Sequence, residues 1–322
     1  MRIFVTGGSG FVGGAVVRTL APRHHVAGLS RSPASDGVLR EAGATPVRGD
    51  LASADRLVLN GFDAIVHCAA FVEEWGPLAA YEDINVRGTA RLLAAAKARG
   101  VRRFVHVGTE AALFRGQNMR DIDETHPLAP DSPFPYSSSK AKAELAVKAA
   151  NDPAGGFSTI VIRPRLVWGP GDKTVLPVVK AMAASGRFRW IDGGRAMTST
   201  THVANLVHAI DLALTKGAAG ESYFVVDGTP LAMRDFLSRY LRTAGVDLGG
   251  KSAPGWLVRG IAGATEPLWR LVGSKSPPPI TRFTAAIMSR DCTINDAKAR
   301  RDLGYAPVMT VDQGLERLAA CA

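Results

Sequence analysis

Apolar and polar positions alternate along the first half of the chain in two rhythms. "RIFVTG", "HHVAGLS", "DAIVHCA", "RRFVHVGT" and "STIVIRP" are short β-rich runs, while "GGAVVRTLA", "TARLLAAAKARG" and "AKAELAVKAA" between them read as helices. Strand and helix in turn predict βαβ units, hence an α/β fold with a doubly wound parallel sheet covered by helices on both faces. After "WGPGD", Trp168 to Asp172, the alternation becomes irregular, and prolines gather at Pro277, Pro278 and Pro279. The expected division is therefore a first domain over 1–170 and a smaller second region over 171–322. "ESYFVVDGTP" reads as one more buried strand, near 221–227, that can rejoin the first sheet.

Late in the chain Leu257, Ile261, Ala264, Leu268 and Leu271 recur at spacings of four and three, which gives one apolar helical face. Pro267 is expected to kink this segment or divide it in two. Arg259, Glu266 and Arg270 argue against a bilayer span. The face is expected to pack on its own domain; a lid over a lipid-like substrate and a peripheral membrane contact are the other roles open to it.

Composition narrows the class. With 322 residues, 46% hydrophobic and 21% charged, the chain can bury a large core. Cys68, Cys292 and Cys321 are far apart and form no CxxC pair, so neither a disulfide framework nor a metal site is expected. "MRIFVTGG" lacks the long apolar core of a signal peptide, and the expected location is cytoplasmic. The net charge of +10 is spread over isolated residues and pairs such as Arg102-Arg103, without aromatic interleaving, so nucleic acid is not an expected partner. "RFRW", Arg187 to Trp190, is the one local cluster that could hold an anion.

"VTGGSGFVGGAVV" puts Gly7, Gly10 and Gly13 after the first strand and at the mouth of the first helix, where a bare backbone can approach a pyrophosphate at the helix N-terminus. The second strand ends at Ser30 and Arg31 instead of the acidic residue that usually accepts hydrogen bonds from an NAD ribose. That pair suits a 2′-phosphate, so NADP(H) is preferred and NAD(H) is the second choice. Asp50 and Leu51, in "RGDL", could flank the adenine. In "PFPYSSSKAKAELAV", Pro133 and Pro135 close a loop, and Tyr136 and Lys140 then face the same way one helical turn apart. A tyrosine of pKa about 10 is a poor acid or base near neutrality, and a nearby ammonium is expected to lower that value.

Together these motifs resemble the extended short-chain dehydrogenase/reductase family, within the NAD-dependent epimerase/dehydratase superfamily, over nearly the whole chain. "TGGSGFVG" matches its glycine turn, "YSSSK" its tyrosine–lysine pair, Asn85 in "INVRGT" its asparagine, and Thr109 in "FVHVGTEAAL" its strand-end hydroxyl. "IRPRLVWGPGD" matches the segment beside the nicotinamide, with Trp168 where many members have tyrosine and Gly108 where serine is frequent. The resemblance implies a Rossmann-type fold and cofactor contacts from Phe11 and Val12, from Ala69 and Ala70, and from Pro164, Leu166 and Val167, in addition to Tyr136 and Lys140. It also implies roles. Tyr136 exchanges the proton on the reacting oxygen as general acid/base, Lys140 tunes it and binds the nicotinamide ribose, Thr109 binds the same oxygen, and Asn85 holds water or backbone in a proton relay. Trp168 and His202 are expected at the substrate, and Glu110 is expected as either a substrate contact or a solvated carboxylate.

The second half, in "APGWLVRGIAGATEPLWRLVG", "PPPITRF" and "KARRDLGYAPVMTVDQGLERL", resembles the 3β-hydroxysteroid dehydrogenase/sterol dehydrogenase-like branch. The expected protein is an alcohol dehydrogenase/ketone reductase for a bulky apolar small molecule, compatible with a homodimer. An NAD-dependent nucleotide-sugar epimerase and a non-catalytic dinucleotide sensor are the alternatives.

Overall fold

A computed structural model describes residues 1–320. Its main sheet has seven parallel strands: β1 (Arg2–Thr6), β2 (His25–Ser30), β3 (Thr45–Arg48), β4 (Ala64–His67), β5 (Arg103–Val107), β6 (Ser158–Pro164) and β7 (Ser222–Val225). Their spatial order is β7-β6-β5-β4-β1-β2-β3. The direction of winding reverses between β1 and β4, which opens a crevice at the carboxyl ends of those two strands. Side chains alternate across the sheet, as a pleated strand requires. Ile3 and Val5 join one core with Val66, Val105 and Ile160, while Phe4 joins the other with Ile65, Phe104 and Val161.

The first core is closed by α1 (Phe11–Leu20) and α5 (Val203–Ala213), and α2 (Pro33–Glu41) adds Leu39 to it. The second is closed by α3 (Thr89–Ala98) and α4 (Pro135–Ala149). Residues beyond 171 thus return to the first sheet: β7 pairs in register with β6, and Ala299, Leu303 and Tyr305 pack beside α5. The rest of the second region has its own cluster, in which Trp168 packs with Trp190, Phe236, Tyr240 and Leu315.

The 255–271 segment departs from expectation. α6 (Gly255–Leu271) is one helix that continues through Pro267, so of the two expected outcomes the division does not occur. Its Leu257, Ile261, Ala264, Leu268 and Leu271 face is exposed and not packed on the domain. The side turned inward buries Ala262 completely and carries polar groups beside it. Arg259 donates to Ser289 Oγ (2.8 Å), Glu266 Oε2 accepts from Arg282 N–H (2.6 Å), and Arg270 donates to the Gly76 carbonyl (2.5 Å). Those bonds, together with the burial of Ala262, fix the rotation of the helix. Among the described residues no helix is long and apolar enough to cross a membrane. Cys68 and Cys292 are free thiols, and Cys321 lies outside the described residues.

Candidate active site

The glycine turn is dictated by contact. Gly7 has φ +71°, and a Cβ there would stand 2.8 Å from Ala69 N; a Cβ on Gly13 would stand 2.2 Å from Gly7 O. Only bare backbone lets β1, β4 and α1 meet so closely. Gly10 caps α1 without any side-chain hydrogen bond, and no acidic residue stands in the first turn, so the N–H groups of that turn are open to an anion. Phe11 and Val12 begin the helix and pack partly on the core. Thr6 Oγ1 accepts from Ala69 N–H (3.2 Å), which holds Ala69 and the following Ala70 at the crevice edge. This cradle fits a dinucleotide pyrophosphate.

At the adenosine end Ser30 is fully buried and donates to the Ser32 carbonyl (3.1 Å), while Arg31 is exposed. Arg48, which sequence reasoning missed, stands opposite Ser30 in the β2–β3 register. Folding also brings in a carboxylate: Asp36, on α2, lies 2.8 Å from Arg48 and 4.0 Å from Arg40. The Ser30 hydroxyl first, then Arg48 and Arg40, hold its carboxyl below the usual aspartate value. Asp50 is exposed and caps the turn that follows it by accepting from Ala52 N–H (2.8 Å), whereas Leu51 is buried.

Tyr136 lies in the first turn of α4, partly buried, with its ring edge-on to Phe283 at 5.7 Å. Burial raises its pKa, the Glu110 carboxylate raises it further, and the Thr109 hydroxyl pulls the other way. Lys140 is not a cause of that shift. Its ammonium donates instead to the Val107 carbonyl at the end of β5 (2.9 Å), and burial lowers its pKa to about 8 against the pull of Glu144 and Cys68. The expectation that Lys140 depresses Tyr136 is therefore corrected. Beneath Lys140 the rings of His67 and His106 lie 5.2 Å apart. Burial, then Lys140, lowers both, His67 to about 3, so they stay neutral and Lys140 keeps the local positive charge.

Thr109 caps a short turn by accepting from Ala111 N–H (3.2 Å) and donates to Glu110 Oε2 (2.7 Å). Glu110 is buried and its other oxygen accepts from Arg165 (2.5 Å), itself buried and bonded to Thr198 Oγ1 (3.1 Å). Glu110 is thus a buried, paired carboxylate bonded to Thr109, and not a solvated one. Asn85 sits in a wide, π-type helical turn before α3. It clamps the backbone of Phe71 from both sides (2.6 and 3.0 Å) and donates to Ser139 Oγ (3.0 Å) on α4. It holds backbone, one of the two expected options.

Past the end of β6, Pro164 is buried beside Val225, Leu166 adopts φ +42°, and Val167–Trp168 pair with Thr201–His202. Trp168 is fully buried and donates to Asp227 Oδ2 (2.7 Å); His202 is buried against it and accepts from Ala204 N–H (3.2 Å). In this structure the indole is fully enclosed and the imidazole nearly so, both in the core of the second region. Asp227 ties them, also accepting from Thr200 Oγ1, His202 N–H and Asn205 Nδ2 (2.8, 2.5 and 2.7 Å). The aromatic group that does approach Tyr136 is Phe283, in the stretch that begins "PPPITRF"; its partners Phe114 and Phe134 come from distant segments, so no local pattern revealed it.

Residues 4–253 match the 3-beta hydroxysteroid dehydrogenase/isomerase family. The chain is 41% identical, over 99% of its length and 96% of the relative's, to the 4-hydroxy-2-methyl-3-oxo-4-farnesyl-3,4-dihydroquinoline-1-oxide ketoreductase of Stigmatella aurantiaca. It is 36% identical, over 99% of both chains, to the 2-alkyl-3-oxoalkanoate reductase of Stenotrophomonas maltophilia. Among solved structures it resembles gox2253, with a TM-score of 0.79, 28% identity and coverage of 99% of this chain and 97% of that one. With the glycine cradle, the Tyr136–Lys140 turn and the Thr109 seat in one crevice, the chain belongs to the 3-beta hydroxysteroid dehydrogenase/isomerase family, a branch of the extended short-chain dehydrogenases/reductases.

Proposed function

We propose that the protein is an NADP(H)-dependent oxidoreductase that interconverts a ketone and a secondary alcohol on a bulky apolar substrate, sterol-like or long-chain β-keto. The observation that carries this reading is the array of Tyr136, Thr109 and Glu110 under the Phe283 ring. Burial and Glu110 keep the Tyr136 phenol protonated, as a proton donor to a ketone oxygen must be, and the Thr109 hydroxyl binds the same oxygen by turning its proton from Glu110 to the substrate. A nicotinamide cofactor, when bound, supplies or accepts the hydride. Lys140 brings a positive charge to the ribose side, Asn85 fixes the loop that begins at Phe71, and Phe283 excludes water from the phenol. The names of the two relatives specify farnesyl-bearing and alkyl-bearing keto compounds, which supports an apolar substrate.

The test is NADPH oxidation, followed by absorbance, across a ketone series of increasing alkyl length. We expect kcat/KM to rise by up to roughly fourfold per added CH₂ that is buried. A flat series together with inhibition by uridine diphosphate would favour the nucleotide-sugar epimerase. Preference for NADP(H) rests on Arg31, Arg40 and Arg48 outnumbering Asp36 at the adenosine end. Arg31→Ala should lose about 1.5–3 kcal/mol of NADP(H) binding and leave NAD(H) binding unchanged in a calorimetric titration. Equal losses for both cofactors would refute the phosphate role.

Lys140 gives a pH signature. Its folded pKa of about 8 lies below 10.5, so the fold penalises the ammonium. The penalty is complete below pH 8, shrinks as pH rises towards 10.5 and vanishes above it. Lys140→Met should therefore be more stable than the parent at neutral pH, by up to about 3 kcal/mol, with the gap closing in alkali while cofactor affinity falls. Urea unfolding of both proteins at several pH values measures this, and a pH-independent gap contradicts it.

A further inference from the structure

We propose that Trp75 and Arg270 are specificity-determining residues: they latch the loop 71–77 onto the strap 272–281, and the latch must part before a substrate with a bulky apolar body reaches Tyr136. This rests on the reading of Tyr136 as the reacting group. Both sides of the latch begin at that phenol. On one side Asn85 clamps the Phe71 backbone and bonds Ser139, which in turn donates to the Tyr136 carbonyl (2.9 Å). On the other, just beyond the strap, Phe283 lies edge-on to Tyr136 at 5.7 Å. Between these anchors the loop and the strap meet directly. Trp75 Nε1–H donates to the Ser274 carbonyl (3.0 Å), Arg270 donates to the Gly76 carbonyl (2.5 Å), and the Arg270 guanidinium covers the indole, 3.7 Å from its ring centre. Glu74 Oε2 accepts from the hydroxyls of Thr281 and Thr284, which flank Phe283.

The loop is fastened by these bonds and not by a core. Among the described residues, none from 71 to 77 belongs to a buried apolar cluster, and Val72, Glu73 and Glu74 are exposed. A segment held by solvent-facing hydrogen bonds with few buried contacts opens at low cost. The strap, by contrast, is stiff: Pro277, Pro278 and Pro279 fix φ in succession, so a displacement at Ser274 is carried to Thr281 and on to Phe283. Parting the latch therefore does two things. It lifts Phe283 from the phenol, and it withdraws Arg270 from the indole, whose bared face an aliphatic chain or fused-ring body can cover. A short ketone needs little of this opening, so Trp75 and Arg270 act on large substrates above all.

The test compares Arg270→Ala and Trp75→Leu with the parent, each as the full chain. Arg270→Ala removes the cation and the Gly76 bond and leaves the indole, so hydrogen exchange of the 71–77 amides should quicken about tenfold or more while those of β1 and β5 stay protected. Its kcat/KM should rise about threefold or more for the longest ketones, through KM, and keep the parent value for the shortest, because less free energy is spent on opening. Trp75→Leu should loosen the same amides yet lower kcat/KM for the longest ketones, since the indole face is lost. Entry of Nile red, an uncharged apolar dye, into the NADPH-loaded protein should also quicken in Arg270→Ala, by about threefold or more in stopped-flow fluorescence. A parent that reduces no ketone of any length overturns the reading of Tyr136, whereas the latch is judged by exchange and dye entry as well. The latch is overturned if exchange in 71–77 is unchanged in both variants, if dye enters Arg270→Ala no faster than the parent, or if Arg270→Ala alters short and long ketones alike.

Discussion

Replacing Tyr136 by Phe lowers kcat by about 10²–10⁴-fold while the fold and cofactor affinity survive. The substitution removes one oxygen and keeps the ring, so the edge-on contact with Phe283 and the start of α4 are preserved. Thr109 cannot replace the phenol as proton source, since its one hydroxyl proton is donated to Glu110. Single-turnover kinetics with NADPH and a ketone, beside a cofactor titration, separate the two effects. A variant that turns over at near-parent rate would remove Tyr136 from the chemistry. A variant that loses cofactor binding as well would make the residue structural.

Arg165→Met destabilises the protein by about 3–5 kcal/mol, because it strands the buried Glu110 carboxylate without its cation. The surroundings offer little relief: Glu110 retains the Thr109 hydroxyl alone among the donors described above. Glu110→Leu/Arg165→Met should recover most of that loss, since two apolar side chains need no pairing. Glu110→Gln keeps the shape and removes the charge that raises Tyr136, so the phenol should titrate at lower pH than in the parent. Chemical denaturation of the single and double variants gives the coupling energy. An Arg165→Met protein as stable as the parent would show that the pair is solvated.

What was legible in the sequence is what short-range physics fixes. Strand runs such as "RIFVTG" and "STIVIRP" were readable because buried parallel strands need apolar residues on both faces, and here each became a strand of the main sheet. The glycines after β1 were readable because close approach of backbone allows no other side chain. Tyr136 and Lys140 were readable because helical spacing puts them on one face.

Other features depended on partners remote in the chain. Arg165 waited for Glu110, Asp36 for Arg48, and Phe283 for Tyr136; no periodicity joins residues that meet only after the sheet has wound. Trp168 and His202 were expected at the substrate from the family resemblance, and it is Asp227, far along the chain, that holds them in the core. The same holds for the direction α6 faces. Its apolar stripe follows from the sequence alone, but inward bonds to Ser289, Gly76 and the Arg282 backbone turn that stripe to the outside. Local pattern determined which elements form and which chemistry they carry. Tertiary structure decided which charges are paired and which faces are left open, because those depend on distances that only the closed chain sets.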